Sequence, residues 1–410
     1  MVFAVLDPEA AASTPTRPAG LGARTIVALL VVTASSMVAQ GFGRFTYPVL
    51  LDAINADVLG SYAQAGLLGN ASLGAYLIGT GLVAWASTKV DASTLMKVGL
   101  VLSLTGLTVL AIAPTFGALA LGLFIAGLGG AAVWIPAPGI GAMLVGPERG
   151  GLAFGLVGSG IGMGIVIAGP LTNVVRSVAD DDNAWRPVYV IQAGVAAVVL
   201  LALLLILRRP PSAAASGEKV PVSVIRTVPG WYLLMGAFAV FGVGYSLYFY
   251  FLVAQLRESG WTAASSSWIF ALVGVASAVG GLVFGRLSDV YPRPQVMTAG
   301  FILMAAAPLL TLSGSGPAVI AASVAFGLCV SGTPTTIGAM LSDHLTGRAM
   351  GTAFGTLTLG FGIAQLAGPP FAGFVGEATG SFTLPFLIAS GMAACGVPIS
   401  MALRRHAIVR

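Results

Sequence analysis

What most limits the fold of this chain is the repeated return of long apolar runs. There are twelve, at 24–50, 62–86, 95–113, 117–144, 151–175, 187–207, 229–255, 265–285, 295–313, 317–341, 351–376 and 382–403, separated by Gly, Pro and charged residues. About 20 helical residues cross a hydrocarbon layer, and inside it each backbone amide must be paired within its own segment. Charged residues make up only 8% of the 410, against about 25% in soluble proteins, so there is too little polar surface to solvate such a core. The 56 glycines fall largely within the apolar runs, where they let membrane helices approach closely. The expected fold is an all-α integral membrane protein with twelve transmembrane helices.

The longest polar interruption, Arg208 to Val228, contains RRPPSAAASGEKVPVS and reads as a linker between two six-helix halves. The expected organisation is a disordered N-terminal tail (1–20), a first bundle (21–207), a linker (208–228), a second bundle (229–404) and a short tail (405–410). Cytoplasmic loops are enriched in Lys and Arg. With both termini inside, 15 of the 19 basic residues fall on the cytoplasmic side, three (Arg176, Arg186 and Arg257) fall outside, and the last, Arg44, lies within a span. The two cysteines, Cys329 and Cys395, sit in apolar runs without metal-ligand spacing. The basic residues are scattered between spans and form no patch for nucleic acid.

The two halves repeat one another. Gly81-Leu82-Val83 returns as Gly281-Leu282-Val283, Ile140 to Leu144 as Ile337 to Leu341, Ala153-Phe154-Gly155 as Ala353-Phe354-Gly355, and Gly169-Pro170 as Gly368-Pro369. The matches keep their order at a nearly constant offset. Since an even number of spans separates the copies, both halves enter the membrane in the same direction, a parallel repeat.

Between the eighth and ninth runs stands Gly285-Arg286-Leu287-Ser288-Asp289-Val290-Tyr291-Pro292-Arg293. It resembles the Gly-x-Leu-Ala/Ser-Asp-x-x-x-Arg loop of the major facilitator superfamily, and the resemblance extends over all twelve runs. The first-half counterpart, Trp85 to Asp91, lacks the Gly and carries Lys89 in place of the acid. The family implies two pseudo-symmetric bundles that rock about a central site. It also implies a gate in which Asp289, with Gly285, Arg286 and Arg293, meets the start of the fifth helix beside Arg149.

Arg44 is the one charge deep in an apolar run, in Gln40-Gly41-Phe42-Gly43-Arg44-Phe45-Thr46-Tyr47-Pro48. A membrane-embedded Arg costs about 3 kcal/mol even on the lenient insertion scale, so it marks a functional site unless it snorkels to the headgroups or pairs with Asp52 or Asp57. The Gly-x-Gly-Arg-Phe string resembles a bacterial branch of the superfamily related to monocarboxylate and organic-anion carriers. By the repeat, Arg44 aligns with Tyr245 and Tyr47 with Tyr248. The resemblance implies that these four residues flank a midplane site, where a guanidinium and phenol hydroxyls suit a carboxylate. Helix position adds Asn70, Trp134, Thr333, Thr336 and Gln365 as substrate-binding candidates.

The chain has no Gly-Lys-Ser/Thr phosphate loop, which excludes ATP-driven transport within it. No His lies at mid-span beside a serine, which argues against an intramembrane hydrolase. No enzyme activity, cofactor or metal is expected. The expectation is a monomeric secondary transporter of a small organic anion, foremost a monocarboxylate, in the bacterial cytoplasmic membrane. It would be coupled to protons, with a proton carried near Arg44 or at Asp52. The alternative is an efflux pump for drugs or hydrophobic metabolites.

Overall fold

A computed structural model of the chain describes residues 22–87, 89–145, 150–181, 183–207, 221–345 and 347–406. The expected N-terminal tail, most of the linker, Arg149 and the last four residues lie outside this set. The described residues form twelve helices long and apolar enough to cross a membrane, and no strand is present among them. They are helix 1 (Ala23–Leu59), helix 2 (Tyr62–Ala86), helix 3 (Ala92–Ile112), helix 4 (Phe116–Trp134 and Ala137–Val145), helix 5 (Gly150–Ala179) and helix 6 (Arg186–Ile206). The second half contributes helix 7 (Trp231–Glu258), helix 8 (Ala263–Val290), helix 9 (Arg293–Leu312), helix 10 (Gly316–Ser342), helix 11 (Gly347–Gln365 and Gly368–Thr379) and helix 12 (Thr383–Ala402).

Polar residues set several helix starts. Ser61, Asp91, Thr115 and Thr262 each accept from the amide three residues on, satisfying one of the donors a helix N-terminus leaves open. Gly60 and Gly380, at φ of 68° and 66°, end helices 1 and 11 in the left-handed conformation that only glycine adopts freely. Two spans break in mid-course. Helix 4 is interrupted at Ile135-Pro136, and helix 11 at Leu366-Ala367, just before Gly368-Pro369-Pro370.

Helix 1 is longer than its apolar run, continuing past Pro48 to Leu59, with π-helical turns at Met37–Phe42 and Asn55–Leu59. Helix 8 runs to Val290, so most of the sequence motif expected as a loop is helical. The end of the expected linker is also ordered: Val222–Thr227 is a turn of 3-10 helix, with Ile225 and Val228 buried.

With six spans in each half, the start of helix 1, the end of helix 6, the start of helix 7 and the end of helix 12 lie on one face of the bundle, here the terminal face. Helices 1 and 7 run through the middle and are buried along most of their lengths. The halves meet along helices 5 and 8, helices 2 and 11, and helices 1 and 7. Glycine makes the seams close. A methyl on Gly162 would fall 3.0 Å from Ala278 Cβ, and one on Gly274 would fall 2.7 Å from Val166 N. Nearer the opposite face, Gly169 abuts Ser267, Gly66 abuts Pro369, and Gly373 abuts Tyr62. Polar bonds finish that closure: Tyr62 N donates to Glu377, and Asn173 donates to the Ala264 carbonyl. Toward the terminal face, Gly158 of helix 5 and Gly351 and Gly355 of helix 11 have open space within 4 Å. At these glycines the halves are in close contact toward the opposite face and open toward the terminal one.

Candidate functional site

Helix 1 carries Arg44 to the middle of the bundle. The π-helical turn just before it packs Gly41 against helix 5 so tightly that a methyl on Gly41 would lie 2.6 Å from the Gly164 Cα. On the other side, Gln40 donates to the Gly130 carbonyl of helix 4 at 3.1 Å. These contacts fix the rotation of the helix where Arg44 emerges. The wide turn is a local defect of the kind found at functional positions.

Arg44 is 9% exposed and does not snorkel. Helix 1 continues to Leu59, so roughly 22 Å of helix at 1.5 Å per residue separates the guanidinium from that end. Neither acid weighed as its partner reaches it. Asp57 pairs with Arg186 and accepts from Trp185 Nε1 at 3.0 Å, while Asp52 accepts from the Tyr62 hydroxyl at 3.1 Å. The ion pairs Arg186–Asp57 and Arg293–Asp343 do not involve Arg44.

Arg44 is instead held by neutral groups. Its Nη2 donates to Gln365 Oε1 at 2.7 Å, and its Cζ lies 5.3 Å from the ring centre of Tyr76 and 5.5 Å from that of Phe45. Its Nε is buried without a hydrogen-bond partner among the described residues. Close by, the Tyr250 hydroxyl is likewise buried and faces the Arg44 side chain, without a hydrogen bond of full geometry. Tyr250 crosses from helix 7 to helix 2 because Gly69 makes room: a methyl there would fall 2.9 Å from the ring. Two donors thus converge beside one uncompensated positive charge.

Gln365 and Asn70, both named from sequence, join at the break in helix 11. Pro370 has no N–H for the Leu366 carbonyl four residues earlier, and Asn70 Nδ2 donates to that carbonyl at 2.7 Å. Tyr245 is 4% exposed and also lies within reach of Arg44's charge. Its ring belongs to an aromatic stack with Phe241, Phe249 and Phe326, at centroid distances of 5.9, 5.4 and 6.0 Å.

The other candidates stand apart. Tyr47 donates to the Ala65 carbonyl of helix 2, and Tyr248 bonds Thr311 of helix 9, both at 2.7 Å and fully buried. Thr336 bonds back to the Gly332 carbonyl, and Thr333 packs toward Gly300 of helix 9, inside the second half. Trp134 is half-buried at the break in helix 4. Tyr76 and Tyr250 escaped the sequence reading because the repeat points to the positions opposite Arg44 and Tyr47, whereas these rings reach Arg44 from helix 2 and across the seam at Gly69.

At the terminal face, Asp289 and Arg286 are exposed, and Gly285 has ordinary contact space. Arg293 pairs with Asp343 at the end of helix 10, at 3.0 Å. It thereby braces helices 9 and 10 in this state. Arg149, the partner expected for Asp289 on helix 5, lies outside the described residues.

Residues 36–401 match the family model described as "Uncharacterised MFS-type transporter YbfB". Curated relatives include monocarboxylate transporter 10 of Danio rerio, 28% identical over 45% of this chain and 40% of that protein. Another is a probable sulfoacetate transporter, SauU, of Cupriavidus necator, 31% identical over 40% of this chain and 41% of that protein. The chain spans about 40% of the length of these relatives. Among solved structures, a bacterial homologue of the human lysosomal transporter Spinster, inward-facing and unoccupied, superposes with a TM-score of 0.73 at 18% identity, covering 95% of this chain and all of that one. A mutant of the nucleoside transporter NupG gives 0.75 at 13% identity, over 92% of this chain and 99% of that one. With twelve spans in this fold and a family model matched over most of its length, the chain belongs to the MFS-type transporters and is not an enzyme.

Proposed function

We propose that the protein carries a small organic anion, foremost a monocarboxylate, by alternating access, and that Arg44 is the group that holds the anion. The observation that carries this is the state of Arg44: buried at the seam of the two halves, with no ion-pair partner among the described residues, its Nε without an acceptor and the Tyr250 hydroxyl facing it. A buried charge is retained where its compensation arrives with a ligand. A carboxylate or sulfonate supplies one negative charge and several acceptor oxygens, for Arg44 and for a neutral phenol donor. The aromatic stack from Phe238 to Phe326 offers an apolar wall for the body of the ligand. The relatives named for monocarboxylates and sulfoacetate are consistent with this chemistry.

With the termini in the cytoplasm, as the distribution of basic residues argues, the state described here is inward-facing. Uptake then runs with a proton, and Asp52, half-buried beside Tyr62 where the outer closure forms, is its carrier.

The test uses purified protein and reconstituted vesicles. Acetate, lactate and sulfoacetate should raise the unfolding temperature of the wild type, and at least one should be taken up faster under an inward proton gradient. Arg44→Lys keeps the charge but loses the planar fork, and should weaken the stabilising anion by at least about tenfold. Asp52→Asn should remove the response to the gradient and leave anion binding intact. A folded Arg44→Ala variant that binds anions like the wild type would end this reading, and stabilisation by apolar dyes in place of anions would favour an exporter of hydrophobic compounds.

A further inference from the structure

The hydrogen bond to Arg44 comes from a particular place in the chain. Gln365 is the last residue of the first part of helix 11, directly before the Leu366-Ala367 break, where amides reach back only three residues, at 3.3 Å. Pro369, four residues on, cannot donate to the Gln365 carbonyl, so no regular helical bond spans the junction there. The side chain itself is 1% exposed and aimed across the seam, its amide oxygen on the guanidinium. Arg44 belongs to the first half and Gln365 to the second, 321 positions apart. Their bond spans the interface that must rearrange in every transport cycle.

From this geometry we infer that Gln365 is an intramolecular occupant of the anion site: in the empty carrier its amide oxygen takes the place on Arg44 that a substrate oxygen takes in the loaded one. The inference rests on Arg44 being the anion site. A bare guanidinium cannot be sealed between two closing halves without losing its hydration, so an empty carrier without a surrogate would be held open. A neutral amide gives one charge-assisted bond and no opposing charge. It is good enough to carry the cation through the empty return step and weak enough to yield to a carboxylate. The empty protein can therefore reorient, and the carrier performs net transport instead of obligatory one-for-one exchange. Gln365 thus sets both apparent affinity, by competing for Arg44, and transport mode.

Two readings on the full-length protein test this, with sodium acetate, L-lactate and sulfoacetate as probes against sodium chloride at equal ionic strength. In thermal unfolding, Gln365→Leu removes the competitor and should lower the half-stabilising concentration of the active anion about tenfold, the worth of one hydrogen bond to a charge. Gln365→Glu supplies a permanent carboxylate, so it should stabilise the empty protein and abolish the response to anions. In vesicles, Gln365→Leu should lose net efflux into anion-free buffer while keeping exchange with anion on both sides. Gln365→Asn, one methylene shorter, should move both readings in the same direction and serves if the leucine variant does not fold. Wild-type half-stabilising concentrations and a wild-type ratio of net efflux to exchange in these variants would overturn the role of Gln365 while leaving Arg44 in place. Failure of every anion to stabilise the wild type and Gln365→Leu alike would remove the anion site, and this inference with it.

Discussion

Arg44 on helix 1 and Gln365 at the break of helix 11 are joined by a 2.7 Å hydrogen bond that crosses between the two halves of the transporter. Beside it, Asn70 of helix 2 grips the carbonyl of the next residue, Leu366. The broken segment of helix 11 is thus clasped by two side chains of the first half, one of them the buried cation.

The close contact of helices 1 and 5 positions Arg44. Gly41→Ala would place a methyl 2.6 Å from the Gly164 Cα, which the backbone can accommodate only by separating the helices. Overpacking of this kind costs about 1–3 kcal/mol. Thermal unfolding in detergent should show a clear loss of stability for Gly41→Ala and none for Gly74→Ala, where a methyl meets nothing within 4 Å. Equal stability of the two variants would mean that the seam is looser than the structure shows.

Asn70→Leu removes the donor to the Leu366 carbonyl, which Pro370 leaves without its helical partner. An unsatisfied buried carbonyl costs about 1–3 kcal/mol, and in this variant the cost falls on the state in which helices 2 and 11 are closed. The population should shift toward opening on the opposite face. Spin labels near Ser61 and Ser381 would report longer distances in Asn70→Leu than in the wild type, while an unchanged distribution would assign Asn70 to general packing.

Asp289 is exposed on the terminal face, and Arg293 is engaged with Asp343. In the opposite state the end of helix 8 should approach the start of helix 5, whose unpaired amides favour an anion. Asp289→Asn should then leave the present state untouched, deplete the opposite one and slow turnover at unchanged ligand affinity. Distances between labels at the terminal ends of helices 5 and 8 would lengthen on average in the variant. If turnover and distances match the wild type, Asp289 only ties its own segment.

Orientation follows from the basic residues. In a background lacking Cys329 and Cys395, Ser61→Cys should react with an impermeant maleimide applied to intact cells, and Ser216→Cys only after the membrane is opened. The reverse pattern would invert the topology and make the present state outward-facing.

The twelve spans were legible in the sequence because a bilayer demands long apolar segments and tolerates few charges, a constraint that acts on each segment by itself. The singularity of Arg44 was legible for the same reason: one basic residue in an apolar run needs an explanation whatever its neighbours. The repeat gave the pairing of helices 1 and 7. Sequence could not show that helix 1 runs on past Pro48 to Leu59, because a proline inside a span is tolerated where the surrounding bundle supports it. Nor could it show the π-helical turn that aims Arg44, because a single extra residue in a turn leaves the apolar pattern intact. The repeat placed Tyr47 and Tyr248 at the site, yet their hydroxyls are spent on Ala65 and Thr311, while Tyr76 and Tyr250, with no motif to mark them, surround the cation. Which polar groups meet depends on how two halves far apart in the chain close on one another, and on small residues such as Gly69 that admit a ring across the seam. Composition fixed the solvent and the helices; tertiary packing alone decided which neutral groups would face the buried charge.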